Sequence, residues 1–205
     1  MTAILKVDTI QDTSGNNIIN ESSDTITIGA SGDTTNIIGT LQNNGSAVGG
    51  ITVADQWRLT ADFTGAANPI SSNLERVDTT GQGTIGSAMT ESSGIFTFPS
   101  TGIYLVSFTA ALQFNGDTRY YVAYIESTRN NGGAWTELTK NETFIQQTGS
   151  AATPNTVVTS TLMDISDTSQ HKVRFEVLPL DTSTSTKGDS TKNETFMTFI
   201  RLGDT

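Results

Sequence analysis

The chain has 205 residues, 16% of them charged, and a formal net charge of −10. Its eleven basic residues are scattered without a stripe or cluster, so we expect neither nucleic acid nor membrane insertion among its interactions. It has no cysteine, which excludes a disulfide framework and a thiolate site. No stretch approaches the ~20 apolar residues of a membrane-spanning helix, and we expect a product made in the cytoplasm.

Residues 1–50 contain no aromatic side chain and consist of short isoleucine-rich pieces between Gly, Asn, Asp, Ser and Thr. A segment with so few large side chains cannot close its own core against chain entropy. We therefore predict a thin β arm that is stabilised when identical chains wind together, with a disordered polar leader as the alternative. The stretch GSAVGG at 45–50 is the predicted linker to a domain over residues 51–205.

The phrases ILKVDTIQDTSGNNII and TITIGASGDTTNIIGTL, at 4–19 and 25–41, carry a resemblance. They resemble the leader and repeat segments of tail-fibre and related virion proteins of tailed bacteriophages. The resemblance implies that the N-terminal segment docks to other virion proteins and that the C-terminal part projects from the particle. It also implies localisation in the virion after synthesis in the host cytoplasm.

From residue 51 onward, alternating apolar runs with turn signals between them predict a succession of strands. Thr, Ser, Asn and Gly are plentiful, and long runs of Leu, Ala, Glu and Lys are missing, which favours strands over helices. We predict an all-β fold, a two-sheet antiparallel jelly-roll sandwich. The predicted strands cover 57–59, 76–78, 94–98, 103–112, 120–129, 136–144, 156–164, 171–179 and 194–202.

Three of these strands are apolar on both alternating faces, and the strand at 103–112 is the clearest case. A second apolar face on a soluble acidic protein predicts a subunit interface, and hence a homo-oligomer. The candidate interface residues are Tyr104, Phe108, Tyr121, Met197 and Phe199.

The segments SGIFTFPSTGIYLVSFTAAL at 93–112 and ETFMTFIRL at 194–202 carry a second resemblance. They resemble the central and last strands of the complement and tumour-necrosis-factor superfamily of trimeric jelly-roll heads. Over residues 55–205 the resemblance implies a ten-strand jelly roll, a homotrimer with threefold symmetry and an interface built from aromatic strands. The last strand departs from the family's Gly-Phe pair, because Met197 and Thr198 stand there.

Groups for catalysis are scarce. The one histidine, His171, follows Asp167 and Ser169 in a single turn, and residues so close along a chain rarely converge as a triad. We expect a solvated turn histidine, no catalytic residue, no cofactor and no enzyme. We expect no metal site, since no EF-hand spacing is present, although acidic residues around the loop at 181–193 leave a structural cation as the alternative.

Binding is the better-supported prediction, because polar loops on a rigid sandwich are where recognition is commonly placed. In the loop at 129–135, Trp135 is a candidate platform for a sugar ring, with Asn130 and Asn131 as hydrogen-bonding partners; the alternative is that Trp135 packs in the core. We predict a tail-fibre or spike-type appendage whose trimeric head binds a host surface glycan or protein. A capsid decoration protein is the first alternative, and a polysaccharide-degrading tailspike is the second.

Overall fold

The computed structural model describes residues 50–205 throughout and, before them, residues 9–11, 13–14, 17–22, 25–28, 32, 34–38, 41–43 and 46–47. The chain divides into two compact units, Met1–Gly49 and Gly50–Thr205. Every regular element among the described residues is a β-strand, as the composition predicts.

The described residues of the first unit include five short strands. Strands β1 (Thr9–Gln11), β2 (Asn17–Ser22) and β3 (Thr25–Ile28) form an antiparallel sheet in that order, and β4 (Gln42–Asn43) pairs with β5 (Ser46–Ala47). Ile28 and Ile38 are more than half exposed. Residues 1–8 and half of the predicted linker at 45–50 lie outside the described residues, and the winding together of identical arms stays a prediction.

The second unit holds twelve strands, and nine of them match the nine predicted from the sequence. The three strands that the sequence did not predict, at 63–64, 90–92 and 185–186, have only two or three residues each. The strands are β6 (Ala54–Leu59), β7 (Phe63–Thr64), β8 (Leu74–Arg76), β9 (Thr90–Ser92), β10 (Ile95–Thr97), β11 (Gly102–Phe114), β12 (Thr118–Thr128), β13 (Thr136–Ile145), β14 (Thr153–Ile165), β15 (Lys172–Pro179), β16 (Ser185–Thr186) and β17 (Phe196–Gly203).

These strands form two antiparallel sheets, which confirms the predicted fold class. The five-stranded sheet has the order β13-β12-β15-β10-β9. The seven-stranded sheet has the order β7-β16-β11-β17-β6-β8, with β14 paired along the other edge of β11. Strand β11 is therefore an interior strand of its sheet, paired along both of its edges.

The hairpin that leads into β11 depends on one glycine. Ser93 and Gly94 join β9 to β10 with φ of +52° and +82°, a two-residue turn of the kind whose twist matches its flanking strands. A Cβ on Gly94 would lie 2.3 Å from the carbonyl oxygen of Ile70. Glycine is therefore required here both by the backbone conformation and by the close approach.

The core lies between the two sheets and is built around phenylalanine. The ring of Phe199 on β17 lies 5.2 Å from Phe96, 5.9 Å from Phe175 and 6.5 Å from Phe98, measured between ring centroids. Phe108 on β11 lies 5.1 Å from Phe175 on the facing sheet. Tilted and edge-on pairs at these spacings are the favourable geometries of aromatic rings, so this cluster ties the two sheets together.

The predicted interface residues lie in this core. Tyr104, Phe108, Tyr121, Met197 and Phe199 each have 0% exposure within a single chain, and so no partner chain can contact them. Tyr104 and Tyr121 satisfy their hydroxyl groups internally, on Ser100 and Thr186. These five residues are therefore core residues and not interface residues. In each strand, the face with the larger apolar side chains turns towards the other sheet, because close packing there stabilises the fold most.

Phe199→Ala should lower the free energy of unfolding by about 3–5 kcal/mol, because it removes the ring that contacts three others and leaves a cavity. The matched control is Phe144→Ala, since Phe144 is 60% exposed on β13 and should change stability by about 0.5 kcal/mol or less. Chemical denaturation of both variants measures the difference. Equal effects of the two substitutions would contradict the described core.

Candidate functional site

The loop at 129–135, which joins β12 to β13, is shaped by one of the predicted ligand residues. The Asn130 side-chain carbonyl Oδ1 accepts hydrogen bonds from the Thr128 hydroxyl at 2.8 Å and from the Ala134 amide at 2.9 Å. Asn131 is exposed at a φ of +54°, and its backbone amide donates to the carbonyl of Gln170 at 2.9 Å. The Asn130 oxygen therefore holds the loop, whereas its amide nitrogen donates no hydrogen bond among the described residues.

Trp135 does not pack in the core, which was the alternative for it, and its role as a platform for a sugar ring stays a prediction. It is half-buried, and the Arg174 guanidinium carbon lies 4.3 Å from the centroid of its ring. Arg174 in turn donates from Nε to Glu126 Oε2 at 2.7 Å. Trp135 thus packs against the outer face of the five-stranded sheet, outside the core, and the cation occupies one face of its ring.

That outer face is acidic. The pKa of the Glu176 carboxyl is raised above its usual value, first by burial and then by the nearby charges of Glu126 and Glu137. Asn68 donates a hydrogen bond to the Glu176 carboxylate, and Arg174 pairs with Glu126. Both carboxylates therefore have hydrogen-bond partners within the fold.

A cleft lies beside this face, where the ends of β12 and β14 meet the starts of β13 and β15. It consists of two adjoining cavities, an inner one of about 100 Å³ and an outer one of about 290 Å³, which share Ser127, Arg129 and Leu138. We call it the Arg129 cleft. Its inner part is lined by Ser127, Thr128, Arg129, Leu138, Leu162, Met163, Asp164, Ile165 and His171, and its outer part by Ser127, Arg129, Asn130, Ala134, Thr136 and Leu138.

His171 differs from its prediction as a solvated residue, because it is only 6% exposed and lines the inner cavity. The Ser169 hydroxyl donates to Asp167 Oδ1 at 2.7 Å, and this bond together with backbone amides lowers the pKa of Asp167. The His171 amide donates to the Asp167 carbonyl at 2.8 Å, whereas its imidazole makes no hydrogen bond within the described residues. The serine and aspartate therefore close a turn, and no Ser-His-Asp relay forms.

A second, separate cavity of about 370 Å³ lies at the start of β12 and the end of β13. Arg119 and the exposed ring of Phe144 are among its lining residues. Arg119 resembles Arg129 in lining a cavity. This makes Arg119 a useful comparison for the cleft.

The acidic residues around the loop at 181–193 bind their own backbone. Asp181 Oδ1 accepts from the Ser183 amide at 2.8 Å, and Asp189 Oδ1 accepts from the amide and hydroxyl of Thr191 at 2.6 and 2.7 Å. The bonds from Thr191 lower the pKa of Asp189. Among the described residues, no three His, Asp or Glu side chains come together as a metal site. Nor does the part of the chain that the structure describes contain a helix suited to crossing a membrane.

Asn130→Ala should loosen the loop, because it removes the acceptor for the Ala134 amide. We expect about tenfold faster hydrogen exchange at that amide, corresponding to the loss of about one hydrogen bond. Asn131→Gly is the control, since glycine suits the positive φ at 131 and should leave exchange at Ala134 unchanged. Exchange that is equally fast in both variants would mean that Asn130 does not hold the loop.

No protein-family model and no curated protein matches the chain. Among solved structures, it is similar to Eiger TNF from S. frugiperda, with a TM-score of 0.55 and 12% identity over 76% of this chain and 95% of that chain. It is also similar to murine APRIL at pH 8.5, with a TM-score of 0.50 and 13% identity over 73% of this chain and 98% of that one. Murine APRIL at pH 5.0 gives a TM-score of 0.50 and 12% identity, with the same coverage of 73% and 98%.

At these identities the likeness shows the fold alone, a TNF-like jelly roll. It confirms that part of the resemblance drawn from residues 93–112 and 194–202. The comparisons give no support to the bacteriophage resemblance of the N-terminal segment.

Proposed function

We propose that the chain forms a homotrimer whose jelly-roll heads bind a host surface ligand without chemical turnover, as the projecting end of a virion appendage. The observation that carries the proposal is an apolar row on the outer face of the seven-stranded sheet, which suits a second copy of the chain. The Arg129 cleft supports the binding role. The leader resemblance supports attachment of residues 1–50 to other virion proteins.

The apolar row crosses four neighbouring strands in register. Leu105 on β11 lies opposite Leu162 on β14 and opposite Ile200 on β17, and Ile200 lies opposite Ala54 on β6. These residues point away from the core, because they alternate with buried neighbours such as Tyr104 and Phe199. Leu162 is 62% exposed. A row of this kind is the surface that a partner copy covers most favourably, and it replaces the core residues first predicted for the interface.

The edge of β14 favours side-chain packing over addition of another strand. The Asn141 amide of β13 donates to the Val158 carbonyl on this edge at 2.7 Å, and the hydroxyls of Thr139 and Thr159 lie 2.9 Å apart. Side chains of β13 therefore occupy hydrogen-bonding groups that an open edge would offer to a further strand. We infer a closed trimer in which faces pack together, and such a trimer presents three weak sites to one surface and multiplies their strength.

Leu162→Glu should convert the trimer to a monomer, because it places a charge within the proposed apolar contact. Leu180→Glu is the matched control, since Leu180 is 43% exposed on another part of the head and should leave the trimer intact. Light scattering after size exclusion measures both masses, for the full chain and for residues 50–205. A wild-type head that is monomeric by itself would contradict the apolar-row interface.

The binding role is tested by passing the full-length trimer over an immobilised panel of neutral and acidic bacterial polysaccharides. We expect retention on at least one polysaccharide, with the length of its chains unchanged after incubation. Shortened chains would replace the proposal with a polysaccharide-degrading enzyme. A trimer that no polysaccharide retains would favour the capsid decoration alternative.

A further inference from the structure

We propose that the Arg129 cleft binds a saccharide that carries a carboxylate, with Arg129 pairing to the carboxylate and the outer cavity holding the sugar ring. The inference rests on the proposed binding function and names the class of ligand and the residues that select it. The ligand would then bind in the cleft and not on the Trp135 ring, which does not line the cleft.

Arg129 is available for a ligand in a chain whose arginines are mostly engaged. Four of the six arginines, Arg58, Arg76, Arg174 and Arg201, pair with carboxylates. Among the described residues, Arg119 and Arg129 have no such pair, and of these two only Arg129 lines the cleft. Arg129 is exposed and has no ion pair, hydrogen bond or stacked ring among the described residues, although the chain has a net charge of −10. A guanidinium group offers two parallel N–H donors that match a carboxylate, so its most favourable missing partner is such a group.

His171 adds an imidazole to the lining of the inner cavity, and the residue is 6% exposed. Its ring nitrogens are not among the buried side-chain atoms of the described residues that lack a hydrogen-bond partner, so they keep contact with the solvent in the cavity. A ring nitrogen in this position can exchange water for a hydrogen bond to a bound molecule. The remaining inner lining includes Met163 and Ile165, which suit an apolar part of a ligand, and the exposed Asp164, whose charge disfavours a carboxylate beside it and favours placement of that group on Arg129.

The outer cavity favours a sugar over an aliphatic acid. Thr136 and Asn130 supply a hydroxyl and an amide nitrogen that make no hydrogen bond within the head, and the neighbouring Leu138 and Ala134 provide an apolar contact. A saccharide presents both hydroxyl groups and C–H faces, and this mixed lining matches both.

The overall charge limits the ligand to few negative groups. A polyanion would meet repulsion from a head that includes Glu126, Glu137 and Glu176 on the adjacent face. One carboxylate placed on Arg129 is less affected, because salt screens exposed charges beyond about 8 Å at physiological ionic strength. Leu162 lines the inner cavity and also belongs to the apolar row, so the cleft borders the proposed contact between copies.

The test compares glucuronate with glucose, which differ by a carboxylate in place of a hydroxymethyl group on the same ring. Ligand-observed NMR titration of the full-length protein should show binding of glucuronate that is stronger than that of glucose. Arg129→Gln should weaken glucuronate binding by about tenfold or more, as expected for loss of a charge-assisted pair. Arg119→Gln should change it less than about twofold, because Arg119 lines a different cavity. Unchanged circular dichroism and mass of both variants establish that each retains the fold and assembly.

Equal binding of glucose and glucuronate, or a wild-type affinity in Arg129→Gln, would overturn the proposal. Tighter binding of N-acetylglutamate than of glucuronate would replace the saccharide with an acidic peptide and would also overturn it. The polysaccharide panel separates these failures from failure of the wider function. Retention that survives Arg129→Gln leaves adhesion standing and overturns the cleft as its site, whereas a trimer without any retention overturns both.

Discussion

The structure of the head depends on one constraint: each strand of a two-sheet sandwich can turn only one face into the shared core. In β11 the buried face carries Tyr104, Val106 and Phe108, and in β17 it carries Met197 and Phe199. These side chains fill the space between the sheets, and their aromatic contacts hold the two sheets together. The apolar residues on the opposite faces, such as Leu105 and Ile200, remain on the surface and need cover from outside the chain.

The same division explains how much of the head could be predicted from the sequence. Alternation and turn residues were enough to predict nine of the twelve strands and the fold class. They did not settle which face of β11 was inside, because both faces are apolar. One signal was available: Ile103 and Leu105 share their face with Ser107 and Gln113, whereas the face of Tyr104 continues without a polar residue to Leu112. A polar residue on a nominally dry face marks the surface, and that pattern would have assigned the core correctly.

The cleft lay beyond sequence-based prediction for a different reason. Along the chain, Arg129 and His171 are separated by β13 and β14. They lie close together only because the end of β12 pairs with the start of β15. The loop at 129–135 was identified as a recognition loop, but the roles within it were not. Asn130 shapes the loop through its carbonyl oxygen, and Trp135 stacks on Arg174 of β15. Composition indicates that a loop is polar; it does not indicate which polar atoms the fold itself uses.

The structural charged residues differ from Arg129 because their hydrogen-bonding groups are occupied within the fold. The buried Arg58 donates from Nε to Glu75, from Nη2 to Asp78 and from Nη1 to Thr79, each at 2.7 Å. The buried carboxylate of Asp55 accepts from Arg76, Trp57 and the Met89 amide. Burial of an ion is tolerated when its hydrogen-bonding groups are occupied in this way, and such an ion has no capacity left for a ligand. An arginine at the mouth of a cavity is in the opposite situation, since it keeps its hydration and its donors until a partner displaces the water. Most arginines of this acidic chain have their donors occupied within the fold. Donors that stay free at the mouth of a cavity are therefore what distinguishes a candidate binding residue from a structural one.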